Sequence, residues 1–86
     1  MMDYVPYETS EINGGTQERY RFANGYGASV IIGGGYPYGG MEIAVIGRHG
    51  RCCYDTPITN GVIANLNASE VQPILAAIDA LPKMSA

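Results

Sequence analysis

The sequence is poor in positive charge: five Lys and Arg stand against eight Asp and Glu, and the only lysine is Lys83. The net charge of −3 argues against a polybasic nucleic-acid binder, and it is too small for a densely acidic DNA mimic. Cysteine is equally scarce. Cys52 and Cys53 are the only two, and they are adjacent, whereas an exported scaffold of this length normally distributes several to staple its loops. A reducing compartment, the cytoplasm, is therefore expected. No apolar run approaches the ~20 residues that span a bilayer, and no basic segment leads into a hydrophobic stretch near Met1. Neither a membrane partner nor export is expected.

Catalytic and metal-binding chemistry is also thinly represented. His49 is the only histidine and lies in a turn between Arg48 and Arg51, where like charges discourage a bound cation. The vicinal cysteines, if on a strand, point to opposite faces, and no CxxC or Cys/His cluster offers a zinc site. Asp55, before Thr56-Pro57, reads as a turn cap. No nucleophile, base and oxyanion donor can be brought together from local spacing. The reading is a non-enzyme with no metal and no cofactor.

What is present is 47% hydrophobic residues in a chain of 86, enough for one packed domain. Asp3, Glu8, Glu11 and Glu18 all precede the first base, Arg19. Residues 1–17 therefore form an acidic arm, either mobile until docked or contributing an edge strand, and residues 18–86 form one α+β domain.

In "ERYRFANGYGASVII", Tyr20 and Phe22 alternate with Arg19 and Arg21 before Asn24-Gly25, the signature of a hairpin. A two-residue loop would place Val30 and Ile32 on the arginine face. A three-residue loop with Gly25 in the left-handed region instead puts Tyr20, Phe22, Ala28, Val30 and Ile32 together. "MEIAVIGRHGRCCYDTPI" reads as a second hairpin, turning between Gly47 and Gly50 and returning through Cys52 and Tyr54. In "NASEVQPILAAIDALP", Val71, Ile74, Leu75, Ile78 and Leu81 form a helical stripe, with Asn67 and Glu70 spaced as a capping box. Pro82 ends it. Pro73 conflicts with it, and a start at Ser69 lessens the conflict.

The fold expected is an antiparallel sheet of three to five strands with one C-terminal helix packed on one face. The other face would show Arg19, Arg21, Ser29, Ile31, Glu42, Ala44 and Ile46, a surface in want of a cover. Ile31 and Ile46 make it a candidate homodimer face.

More than half of the 12 glycines fall in "NGYGASVIIGGGYPYGG". A phosphate loop is excluded by context, because a strand follows and no lysine is near. Tyrosine among glycines is instead the composition of adaptable binding loops, although the same tyrosines could cap the core edge. The candidate partner-binding residues are Tyr26, Tyr36 and Tyr38, with Arg19, Arg21, Arg48 and Arg51 supplying polar grip.

The succession "YRFANGYGASVI", "MEIAV", "CYDTPITNGVIANL" and "EVQPILAAIDALP", over residues 19 to 82, resembles a group of small bacteriophage and prophage accessory proteins. The group supplies no catalytic residues to carry over. The resemblance implies a viral protein that binds and blocks a host or phage protein in the host cytoplasm, as anti-CRISPR inhibitors do in host defence evasion. The alternative is a small nucleic-acid-binding accessory factor using the Arg/Tyr surface, disfavoured by charge.

Overall fold

The computed structural model describes residues 4–12, 14–33, 40–47, 50–51, 56–58 and 62–83. Five strands follow one another as an antiparallel meander: β1 (Glu8–Ile12), β2 (Gly15–Arg21), β3 (Gly27–Gly33), β4 (Met41–Ile46) and β5 (Val62–Leu66). One helix, α1 (Ala68–Asp79), then packs against β3 and β4. This is the α+β arrangement expected from the sequence. Residues 8–12 form an edge strand, and β2 runs through positions 17 and 18, so the acidic segment is continuous with the sheet.

Turn chemistry sets the register. Phe22 donates its N–H to the Tyr26 carbonyl at 2.9 Å, and Gly25 donates to the Phe22 carbonyl at 3.2 Å with φ +95°. That is a three-residue loop whose last member needs the left-handed region, which glycine occupies without a Cβ clash. Tyr20 therefore opposes Ala28, and Ala28 opposes Val45. The same pattern recurs after β4, where Gly47 donates to Arg51 at 2.7 Å and Gly50, with φ +72°, donates to Gly47. The expected return through Cys52 and Tyr54 lies outside the described residues. In the sheet, β4 pairs with β5.

Alternation then sorts the side chains. Tyr20, Phe22, Ala28, Val30, Ile43 and Val45 point to one face and are buried there with Val71, Leu75 and Ile78 of α1. Full burial of each larger aliphatic contributes roughly 1.5–3 kcal/mol. Strand β5 needs a break in this alternation, because Ile63 and Leu66 both face the core although three residues apart. The break is a bulge between their partners Ile43 and Met41, with Asn65 at φ +59°. The bulge also roughens the β5 edge, while Glu8 and Glu11 put charge on the β1 edge, so both ends of the sheet discourage strand addition.

Helix α1 begins at Ala68, one residue before the start expected from Pro73. The cap decides this: Asn67 N–H donates to Glu70 Oε1 at 2.9 Å, and Glu70 N–H to the Asn67 carbonyl at 3.0 Å. Pro73 is tolerated because its ring is exposed and the carbonyl it leaves without a donor, that of Ser69, belongs to an exposed residue that water can reach. The last turn of α1 holds no basic residue. Asn24, from the β2–β3 turn, supplies donors instead, its Nδ2 lying 2.9, 3.1 and 3.0 Å from the carbonyl oxygens of Ile78, Asp79 and Leu81. Two amide hydrogens are shared among three acceptors. Asn24 Oδ1 accepts the Tyr26 N–H at 3.0 Å, which fixes the orientation of the amide.

Three substitutions test this account by chemical denaturation. Asn24→Ala should cost about 1–2 kcal/mol, and Asn24→Asp more, because a carboxylate would face carbonyl oxygens at the negative end of the helix dipole; equal losses would contradict it. A Cβ on Gly27 would stand 2.5 Å from the Tyr20 carbonyl oxygen, so Gly27→Ala should destabilise by at least about 2 kcal/mol.

Candidate functional site

The face of the sheet opposite α1 is built from the other half of the alternation. One row crosses it as Glu8, Arg19, Ser29, Ala44 and Val62, and the next as Ser10, Gln17, Ile31 and Glu42. Ile46 opposes Gly27 one row further out. The centre of the face is therefore small: Ser29 and Ala44 are both buried at 8% exposure. Around them lies a groove of about 500 Å³, rimmed by Gln17, Arg19, Ile31, Glu42, Ile46 and Gly50. Ile31 and Ile46 stand four residues apart along the register, or roughly 13 Å at strand rise, and are half-buried.

A chain of polar side chains crosses the first three strands. Arg19 pairs with Glu8 through Nη1 and donates from Nη2 to Gln17 Oε1 at 3.1 Å. Gln17 Nε2 donates to Ser29 Oγ at 2.8 Å. The ion pair is about half exposed, so its contribution to stability is small, ~0–1 kcal/mol. Its effect is positional, holding the guanidinium flat along the rim. Arg21 stacks over the exposed Tyr7 ring, its Cζ 4.5 Å from the centroid, a cation–π contact between β2 and the segment entering β1.

The sequence-derived site residues are thus divided. Arg19 and Arg21 lie on the outward face with Ile31 and Ile46, but both arginines already have partners within the chain. Arg51 is exposed beyond β4, beside the rim residue Gly50. Tyr26 is half-buried against the core cluster on the α1 side, because it opposes Phe22 across the turn. It does not join the arginines. Tyr36, Tyr38, Arg48, His49, Cys52, Cys53 and Asp55 lie outside the described residues. Alternation alone places Ser29 on this face; Gln17 and Tyr7 carry no motif, Gln17 being brought beside Ser29 by the β2–β3 pairing and Tyr7 reaching the groove where it stacks with Arg21.

The segment before β1 divides between the two faces: Tyr7 borders the outward groove, whereas Tyr4 lies on the α1 side. Tyr4 packs against the core cluster beside Phe22, and its hydroxyl donates to Asp79 Oδ2 at 2.7 Å. That bond raises the Tyr4 phenol above its ordinary pKa. Among the described residues no group of three or more His, Cys, Asp or Glu side chains converges as a metal site. None of the described helices is long and apolar enough to cross a membrane. No family model matches the sequence, and comparisons with curated proteins and with solved structures find no significant match.

On the α1 side of the sheet, burial and then the hydrogen bond to Glu18 push the Tyr20 phenol up from 10.0 to about 12. The neutral phenol is favoured by folding, so its stabilisation is complete below about pH 10 and is lost as pH rises towards about 12. Denaturation midpoints across that window should fall further for the wild type than for Tyr20→Phe. Parallel curves would show that the Tyr20 environment exerts no such effect.

Proposed function

We propose that this chain is a non-enzymatic binding protein that docks a protein partner on the outward face of its sheet. The observation that carries the reading is the groove opposite α1, with a small-residue floor at Ser29 and Ala44 and an isoleucine near each end. A small floor lets a partner side chain approach the sheet closely, the two isoleucines offer apolar anchors, and Arg19 and Gln17 provide an ordered polar rim. The finer reading is a phage-type inhibitor acting on a host defence complex in the host cytoplasm, supported by the resemblance over residues 19 to 82. The same face would serve a homodimer through Ile31 and Ile46.

Nucleic acid is the less favoured ligand. Glu8 answers the charge of Arg19, Tyr7 covers Arg21, and the chain is acidic overall. Electrostatic phosphate binding releases counterions and is strongly salt-dependent, whereas an apolar interface is nearly indifferent to salt.

The test is capture of a partner by the immobilised full chain, compared with an Ile31→Asp, Ile46→Asp double variant shown to be folded. Loss of an interface anchor typically costs ~2 kcal/mol, about thirtyfold in affinity. A genuine partner should lose at least that much with the double variant and bind equally well at low and high salt. A partner held equally by both forms would remove the outward face from consideration, and steep salt dependence would favour the nucleic-acid reading. Sedimentation of the wild type and the double variant would show whether a second copy uses the face.

A further inference from the structure

The contact between Tyr4 and α1 has the form of peptide recognition. The side-chain amide of Gln72 meets both backbone polar groups of one residue: Tyr4 N–H donates to Gln72 Oε1 at 2.8 Å, and Gln72 Nε2 donates to the Tyr4 carbonyl at 3.3 Å. A side-chain amide offers one donor and one acceptor side by side, as a strand edge does. One residue's ring then stands edge-on to Phe22, with centroids 5.4 Å apart and planes at 88°. Its hydroxyl reaches Asp79, which is seven residues, two helical turns, beyond Gln72 and so on the same face of α1. Main chain, aromatic ring and phenol are each read by a different group. The flanking residue Val5 is 79% exposed, and the next anchor is Tyr7, whose N–H donates to the Arg19 carbonyl at 2.8 Å, so Tyr4 is held by α1 and Phe22 separately from the sheet.

We infer that the slot formed by Phe22, Gln72 and Asp79 is a binding site for an extended peptide bearing tyrosine, and that the chain's own N-terminal segment occupies it as a displaceable strap. The occupant is defined by the chemistry of the resident residue: an extended backbone to match Gln72, a ring to pack on Phe22, and a hydroxyl to donate to Asp79. Residues 4–6 lie outside the strand ladder, and such segments open at a lower free-energy cost than the strands. A tethered arm nonetheless competes at an effective concentration in about the millimolar range, so the filled slot admits only a ligand that outbids it. This surface lies on the helix side of the sheet, and the inference stands apart from the outward-face reading.

The probe is a synthetic peptide of residues 1–8, MMDYVPYE, added to the full chain. The Tyr4→Ala chain, which lacks the resident side chain, should bind it saturably and at least about tenfold tighter than the wild type. The Tyr4→Phe chain keeps the ring on Phe22 and loses the Asp79 bond, so its affinity for the peptide should fall between the two. Adding Gln72→Ala to the Tyr4→Ala chain should abolish binding. Circular dichroism establishes that each variant is folded, and Tyr4→Phe serves if Tyr4→Ala is not. The inference is overturned if the folded variants bind the peptide no better than the wild type, or if a peptide carrying Tyr4→Ala binds as well as the original.

Discussion

The amide of Asn24 ties the β2–β3 turn to the C-terminal end of α1, at the margin of the apolar cluster that holds the two layers together. A 12-residue helix with no cation in its last turn leaves carbonyl groups exposed at that end, and a β-turn has its own backbone groups to satisfy. Asn24 answers both, donating to the end of α1 and accepting from Tyr26. The hairpin of β2 and β3 is thereby held against the helix at a fixed point. Tyr4 docks beside that junction, on Phe22 and Asp79, so the seating of the N-terminal segment follows from the placement of the turn.

From this arrangement the asymmetry of the sheet follows. Leu75 and Ile78 are completely buried on one side with Val30, Ile43 and Val45. On the other side the chain substitutes small side chains and a polar relay from Glu8 to Ser29 for a second apolar layer. Burying Ser29 there carries little penalty because Gln17 satisfies its hydroxyl. Arg19 and Arg21, which look free in the sequence, are committed to neighbours, so their part of the outward face is better suited to a shaped contact than to a field of positive charge.

Local chemistry was legible where one short segment sufficed. The loop at Ala23-Asn24-Gly25, the capping spacing of Asn67 and Glu70, and the stripe from Val71 to Ile78 depend on neighbours within a few residues, and they appear as the pattern implies. Two local signals compete at the start of α1, the cap at Asn67 and the conflict at Pro73, and leave it open by about a turn; the cap prevails, and the exposed position of Pro73 softens its conflict. Composition leaves Tyr26 between a binding loop and a cap on the core edge, and its place across from Phe22 sets it against the core.

The sequence by itself determined the α+β class, the two faces of β2 to β4 and the amphipathic helix, since side-chain alternation and helical spacing are properties of the chain read in order. Only the tertiary structure decided which residues meet at a distance: Asn24 with Leu81, Tyr4 with Gln72 and Asp79, Gln17 with Ser29. Those pairs are separated by 12 to 75 positions, and no local preference encodes them. They arise because strand pairing and helix docking bring complementary donors and acceptors to the same place once the apolar faces have closed.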